Sequence, residues 1–306
     1  MVEIIRPHEV ALGFDEGMPV RRTLPTRTRS LIGGWCFLDH YGPVSATRTS
    51  GMSVRAHPHT GLQTVSWLFA GQIEHRDSAG SIATVRPGEL NLMTAGRGIS
   101  HSEMSVPDSG PLHGVQMWVA LPDSSRWVDP GFEHYLPQVV QREGVRAWVF
   151  LGSLLGSTSP VVTYSPLLGA ELLLESGTTI ELEVNAAHEH GFLLDSGAVA
   201  VDGTDLGERN LAYVRPGSGV IRLTATSESR MLMIGGQPLG ESIVMWWNFI
   251  GRTHEEIVRF QHQWNAENQS GSTDPKDHPV FGWPNGEAQE PILAPELPHL
   301  RLKSRG

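Results

Sequence analysis

The chain has almost no cysteine, no long apolar run and no cluster of basic residues. Its single cysteine, Cys36, excludes an internal disulfide and is typical of a protein from a reducing compartment. No apolar run approaches the roughly 20 residues that cross a bilayer, and the first residues lack the basic and apolar regions of a secretory signal. We therefore expect a cytoplasmic protein without a membrane segment.

The charge of the chain is negative, which disfavours nucleic acids as partners. The 306 residues carry a formal net charge of -10 and contain no Lys/Arg-rich run. Proteins that bind nucleic acids directly present a basic patch to the phosphates. Apolar residues make up 39% of the chain, alongside 34 glycines and 21 prolines. This composition predicts a turn-rich, all-β globular protein with room for two ordinary domains or one large one.

Two pairs of metal-ligand residues have the spacing of a β-strand. His57 and His59 lie two positions apart, as do His101 and Glu103. Residues two apart on a strand point to the same face, so two neighbouring strands could direct three imidazoles and one carboxylate at one point. With positions left open, such a set suits Fe(II), Ni(II) or Cu(II) in a working site better than a closed structural zinc site.

The segment between the two pairs is predicted to form β-hairpins. Apolar, β-branched and aromatic stretches alternate there with glycine turns, and they predict strands at residues 64–69, 73–77, 82–85 and 90–93. This succession of strands would bring the two pairs side by side in a small barrel. Two further carboxylates, Asp77 and Glu89, are expected in hairpin turns that face the solvent.

A weak internal repeat divides the chain into two halves. The sequence GELNL at residues 88–92 recurs as GERNL at residues 207–211, so two barrels of the same type are expected. Superposing the copies places other residue types at all four ligand positions: Glu183 for His57, Asn185 for His59, Val220 for His101 and Arg222 for Glu103. His188 and His190 form another strand-spaced pair, but they are out of register. The second barrel is therefore predicted to bind no metal.

The C-terminal part is predicted to form a helix and an irregular tail. Thr253 and Glu256 have the spacing of a capping box, and three apolar residues follow at helical intervals: Ile257, Phe260 and Trp264. From Asn265 onward the chain is rich in proline, glycine, serine and asparagine. These features predict a short amphipathic helix followed by a strap.

The predicted organisation has three parts. An N-terminal metal-binding barrel spans residues 1–135, a metal-free barrel spans 136–250, and the helix with its strap spans 251–306. Trp246 and Trp247 are expected in the core or between the barrels.

Several motifs of the first half resemble the pirin family. They are HPHTG at residues 57–61, GQIEHRDS at 71–78, PGE at 87–89, MTAGRGISHSE at 93–103 and QMWVALP at 116–122. LDHYGP at 38–43 resembles the family's lead-in, and FG at 281–282 resembles its C-terminal end. The resemblance is dense over residues 30–125 and thin beyond residue 145.

The resemblance implies a bicupin, in which two cupin-type β-barrels pack together and the N-terminal one holds one divalent metal. Carried over by position, the family's ligands are His57, His59, His101 and Glu103, the same residues that the strand pairs select. Fe(II) is the metal expected, with nickel, copper, zinc and manganese as alternatives. The sequence VMWWNF at 244–249 departs from the better-known animal members, so the bacterial branch is the closer match.

Two main classes of function stay open. The first is a metal-dependent dioxygenase that resembles the flavonol-cleaving quercetin 2,3-dioxygenases and acts with O2 on a small aromatic substrate. Glu103 would then serve both as a ligand and as the general base. The second is an iron-binding, redox-sensing regulator that acts through protein partners. In a third alternative the metal has only a structural role and stabilises the barrel.

Overall fold

The computed structural model describes residues 2–12, 18–46 and 51–306. They form two β-barrels that pack together, followed by one α-helix and an irregular tail, which confirms the predicted all-β bicupin architecture. The strands of the first barrel are β2 (His8–Leu12), β3 (Met18–Leu24), β4 (Trp35–Ser45), β5 (Ser53–His59), β6 (Leu62–Ala70), β7 (Ile73–Asp77), β8 (Ile82–Val85), β9 (Leu90–Thr94), β10 (Ile99–Ser105), β11 (Pro111–Ala120) and β12 (Gly131–Tyr135).

The second barrel takes its strands from residues 139–236 and from the start of the chain. They are β1 (Val2–Ile5), β13 (Val139–Arg142), β14 (Val145–Leu151), β15 (Ser153–Leu154), β16 (Ser157–Thr158), β17 (Leu167–Leu174), β18 (Thr179–Glu183), β19 (Glu189–Ser196), β20 (Val199–Val201), β21 (Thr204–Leu206), β22 (Leu211–Val214), β23 (Val220–Ala225) and β24 (Ser229–Gly236). The C-terminal part contains β25 (Val244–Trp246), β26 (Phe249–Gly251), α1 (His254–Glu267) and a 3-10 turn (Pro275–Asp277).

The first barrel packs a seven-stranded sheet against a four-stranded one. The strand orders are β12-β9-β6-β11-β4-β3-β2 and β5-β10-β7-β8, and apolar side chains from both sheets form one buried cluster. Strand β7 shows the sequence pattern behind this arrangement. Ile73, His75 and Asp77 are buried whereas Glu74 and Arg76 are half-buried, the alternation expected of a strand with one face inward. The strands predicted between the two ligand pairs are confirmed.

The two main sheets of the second barrel repeat those of the first, and the short hairpin of β15 and β16 is additional. The two main sheets have the orders β1-β22-β19-β24-β17-β14-β13 and β18-β23-β20-β21. Strand β1, the first of the chain, pairs with β22 at the edge position that β12 occupies in the first barrel. The internal repeat seen in the sequence is therefore a repeat of structure.

The two seven-stranded sheets pack against each other and bury a core between the barrels. Large side chains of both barrels share one apolar cluster there. The indole of Trp67 stacks on Phe150 with ring centroids 4.5 Å apart, and its Nε1 donates to Glu171 Oε2 at 2.8 Å. Arg230 Nε lies 3.1 Å from the other oxygen of the same buried carboxylate. Apolar burial and a small polar network together hold the barrels in place.

Strands β25 and β26 return from the second barrel to the mouth of the first. Ile250 N donates to Thr60 O at 3.1 Å, and Phe249 forms an isolated bridge with Thr60. Gly61 adopts a left-handed φ of +67°, and a β carbon there would collide with the carbonyl oxygen of Ile250. The hairpin can therefore approach the backbone at Gly61 this closely only because glycine has no β carbon.

Helix α1 begins where the capping box predicts. Thr253 Oγ1 accepts a hydrogen bond from Glu256 N at 3.2 Å, and Glu256 Oε2 accepts one from Arg252 N at 2.7 Å. The apolar residues predicted for its inner face are buried. The helix continues to Glu267, slightly beyond the predicted start of the tail at Asn265. No helix among the described residues is long and apolar enough to cross a membrane.

The link between Trp67 and Glu171 yields a prediction about stability. Trp67→Phe retains a ring on Phe150 but leaves one oxygen of a buried carboxylate without its donor. Loss of such a partner costs about 1–3 kcal/mol, so the free energy of unfolding in urea should fall by that amount. Trp127→Phe, at a position 47% exposed, is the matched control and should change it little. Equal effects of the two substitutions would contradict this account of the interface.

Candidate metal centre

The two predicted ligand pairs lie on neighbouring antiparallel strands. Strand β5 pairs with β10 so that His57 lies opposite His101. The register then shifts, and Glu103 lies opposite Val54. All four predicted ligand side chains are buried, with exposures between 0% and 6%. The strand period and this register bring the pairs together as the sequence predicts.

Three of these side chains form a compact cluster of nitrogen donors. The ligand atoms of His57, His59 and His101 lie within 4.8 Å of one another, and His59 Nε2 is 3.0 Å from His101 Nε2. Burial lowers the pKa of His57 to about 4. Burial, and after it the neighbouring His57, lower the pKa of His59 and His101 well below the usual value. The imidazoles are therefore neutral at neutral pH, with lone pairs free for a metal.

The outer ring nitrogens are held by hydrogen bonds that fix each imidazole. His57 Nδ1 lies 2.9 Å from Arg55 O, and His59 Nδ1 lies 3.2 Å from Asn248 O in the C-terminal hairpin. Each carbonyl accepts from Nδ1–H, which leaves the Nε2 lone pair pointing inward. Ligating histidines commonly have such a second partner. The donor set, its tautomers and its burial therefore fit a divalent transition metal.

His75 and Asp77 support His101 from behind, and the sequence analysis missed this role. His75 Nδ1 lies 3.4 Å from His101 Nδ1, and His75 Nε2 lies 3.0 Å from Asp77 Oδ2. His101 Nδ1–H can donate to His75, whose Nε2–H donates to the carboxylate. The expectation that Asp77 faces solvent is wrong, because Asp77 is 0% exposed at the end of β7. Its alternation with Ile73 and His75 was the signal that could have placed it inside.

Glu103 lies beside the three histidines rather than among them. Its carboxylate forms a second group of neighbouring ligand atoms with His75 and His101, and Ser66 Oγ donates to Glu103 Oε1 at 3.3 Å. Burial raises the pKa of Glu103, and the nearby His75 and Ser66 oppose that shift. Glu103 as the fourth ligand stays a prediction.

A cavity of about 250 Å³ opens onto the cluster. Phe37 and Trp118, two of its lining residues, stack with ring centroids 4.0 Å apart and planes 12° apart. Trp247, Asn248 and Ile292 complete the wall from the C-terminal part of the chain. Trp247 adopts a positive φ of 52°. It packs against two buried apolar clusters, as expected, and it also lines the cavity. The cavity is therefore lined by aromatic side chains and by the histidine cluster.

The second barrel lacks the same set at the equivalent positions. Glu183 lies opposite Val220 in the pairing of β18 with β23, the counterpart of His57 opposite His101. The rings of His188 and His190 are 6.3 Å apart, and neither belongs to a group of three ligand atoms among the described residues. That the second barrel binds no metal stays a prediction.

Comparison with known protein families settles the family of this chain. The pirin family model matches residues 17–119, and the model of the pirin C-terminal cupin domain matches residues 169–269. The chain belongs to the pirin family. A Pseudomonas aeruginosa protein provisionally named a quercetin 2,3-dioxygenase is 42% identical over 250 residues, which are 81% of this chain and 79% of the relative. A pirin-like protein from Caulobacter vibrioides is 37% identical over 257 residues, 81% and 88% of the two chains.

A solved structure extends the likeness to nearly the whole pirin chain. The crystal structure of a quercetin 2,3-dioxygenase from Acinetobacter baumannii superposes with a TM-score of 0.88 at 36% sequence identity. The match covers 98% of this chain and 97% of the other. The fold, including the C-terminal part that closes the cavity, is therefore shared with that protein.

The contact between His75 and His101 generates a prediction about metal affinity. His75→Phe retains a ring against Phe132, whose centroid lies 4.7 Å away, but removes the acceptor for His101 Nδ1–H. Loss of such support typically costs 10–100-fold in affinity, to be measured by competition with a metal chelator. His75→Gln, which retains an acceptor, should recover part of the loss. If His75→Phe binds the metal with the same affinity as the parent protein, His75 does not support His101 in this way.

The second barrel offers an independent prediction. Replacing His188 and His190 together by alanine should leave the metal affinity of the three-histidine centre within about twofold, because neither residue belongs to it. Replacing His101 alone should abolish metal binding there. The same chelator competition measures both variants. A large loss in the His188/His190 variant, with the fold intact by circular dichroism, would show that the second barrel takes part.

Proposed function

We propose that this pirin is a metal-dependent dioxygenase that cleaves flavonol-like aromatic substrates with O2. The observation that carries the proposal is the cavity itself, whose lining combines neutral imidazole donors with the aromatic side chains of Phe37, Trp118 and Trp247. The likeness to the Acinetobacter baumannii quercetin 2,3-dioxygenase, at 36% identity over nearly the whole chain, supports it.

We assign the metal to His57, His59, His101 and Glu103, with Fe(II) as the metal expected. Three imidazoles and one carboxylate leave positions open for ligands from solution, as in mononuclear oxygenase centres. When bound, the metal supplies Lewis acidity to a hydroxy-ketone and the redox chemistry of the reaction with O2. The protein contributes the fixed orientation of the rings through Arg55 O, Asn248 O and His75.

Substrate activation requires that a base take the proton of the substrate hydroxyl, and we assign that step to Glu103. Among the described residues that line the cavity, Glu103 is the one carboxylate. Ser66 Oγ donates to its Oε1 at 3.3 Å and lies 2.8 Å from the side-chain amide of Gln116. These contacts orient the Glu103 carboxylate within the cavity. The carboxylate is a weaker base when it also binds a cation, so we expect either slow turnover with quercetin or a natural substrate other than quercetin.

The walls of the cavity favour a planar aromatic substrate. Phe37 and Trp118 line the cavity and stack on each other, and Trp247 contributes a third aromatic side chain to the lining. Aromatic walls with a few polar groups are typical of sites that bind flat ligands.

Oxygen consumption tests the proposal directly. Purified protein loaded with iron should consume O2 when quercetin is added, and the depside product should appear in proportion. Protein treated with a chelator should consume none. No uptake by fully loaded protein, with quercetin or with other flavonols, would overturn the dioxygenase proposal and leave the redox-sensing regulator and the purely structural metal as the alternatives.

The role of Glu103 gives a sharper prediction. Glu103→Gln retains the size of the side chain and one oxygen but removes its basicity. General-base catalysis contributes about 10²–10⁴-fold, so the turnover number should fall by that factor while much of the metal is retained. Glu89→Gln is the matched control, since Glu89 lies in a turn and does not line the cavity. A parental rate in metal-loaded Glu103→Gln would show that Glu103 is not the base.

A further inference from the structure

We propose that the interface between the barrels contains a second metal site, formed by His40, His113 and Asp195. His40 lies on β4 and His113 on β11 of the first barrel, and Asp195 lies on β19 of the second. The three side chains meet where the two seven-stranded sheets pack together. The proposal adds this site to the single metal predicted from the sequence.

The spacing of the three donor atoms fits a small divalent ion. Asp195 Oδ1 lies 2.9 Å from His40 Nε2 and 2.7 Å from His113 Nε2, and the two nitrogens are 3.3 Å apart. Ligands of a tetrahedral ion with bonds of about 2.0–2.2 Å lie roughly 3.3–3.5 Å from one another. An ion would therefore require only small movements. In the first candidate centre, the Nε2 atoms of His59 and His101 are likewise close together, at 3.0 Å.

A backbone irregularity directs His113 towards this point. Strand β11 shifts register against β4 between Leu112 and Gly114, and against β6 between His113 and Gly114. Such β-bulges commonly re-aim a side chain. Leu112 is fully buried in the first barrel, whereas the side chain of His113 is 14% exposed beside the second. The bulge thus places the His113 imidazole next to that of His40.

The surroundings leave one oxygen of Asp195 to the two imidazoles. Arg230 Nη1 lies 3.7 Å from Asp195 Oδ2 and so engages the other oxygen. The ring of Phe69 packs edge-on against both imidazoles, at centroid distances of 6.3 Å and 5.1 Å. His40 Nδ1 is buried without a hydrogen-bond partner in the described part of the chain, so the polar contacts of this ring lie on its Nε2 side.

Two imidazoles and one carboxylate suit a borderline divalent ion such as Zn²⁺, Fe²⁺ or Co²⁺. The exposed edge of His113 leaves a side open for a water ligand. Because the ligands come from both barrels, an ion there would bind only when the barrels are docked, and it would stabilise that arrangement. Without an ion, both Nε2–H groups would simply donate to Asp195 Oδ1.

Zinc titration distinguishes a bound ion from a cluster that is held only by hydrogen bonds to Asp195. The full-length protein is stripped with a chelator, and each variant is then assayed for bound Zn²⁺ equivalents and for its melting temperature with and without zinc. The background is His101→Ala, which removes binding at the first centre. To it we add either His113→Gln or the matched control His134→Gln, whose side chain is 45% exposed and belongs to neither cluster.

The proposal predicts one zinc equivalent and a zinc-dependent rise in melting temperature for His101→Ala, both retained with His134→Gln and both lost with His113→Gln. No zinc bound by folded His101→Ala, or binding that survives His113→Gln, would overturn it. If His101→Ala does not fold, the single variant His113→Gln should bind one equivalent fewer than the parent, and an equal content would overturn the proposal. None of these readouts depends on catalytic activity, so they stand apart from the dioxygenase proposal.

Discussion

The candidate metal centre depends on the register between two antiparallel strands. The pairing of β5 with β10 places His57 opposite His101, and the two-residue period of each strand then turns His59 and Glu103 to the same side. A slip of β5 by one residue would turn its pair to the face opposite the pair on β10. The register is held by the buried apolar residues on either side of the pairs, so the packing of the barrel and the geometry of the donors are set by the same contacts.

Residues that are distant in the sequence complete the candidate centre. The C-terminal hairpin supplies the carbonyl of Asn248 behind His59 and the ring of Trp247 in the cavity wall. The tail follows, with Ile292 N donating at 2.8 Å to the carbonyl oxygen of Ala56 on β5, the strand that carries His57 and His59. The hairpin can reach the first barrel because the two barrels pack against each other through Trp67, Phe150 and Glu171. The second barrel therefore contributes to function as the support of this cap, although its own ligand positions hold Glu183 and Val220.

Much of this structure could be predicted from local patterns in the sequence. Strand periodicity located the ligand pairs and the hairpins between them, the repeat located the second barrel, and Thr253 with Glu256 located the start of the helix. Periodicity specifies which face a residue occupies but not which distant segment packs on that face. Trp247, Asn248 and the interface cluster around Asp195 were missed for that reason. His75 and Asp77 were overlooked because their segment was interpreted as solvent-facing, although their alternation marks them as buried.

The identity of the metal-binding residues is the central claim, and anomalous X-ray diffraction tests it most directly. Crystals of iron-loaded protein, measured on both sides of the iron absorption edge, should show a strong anomalous peak bounded by His57 Nε2, His59 Nε2, His101 Nε2 and the Glu103 carboxylate. A fully loaded crystal with no peak at that point, or with its first-barrel iron bound by other residues, would contradict the account.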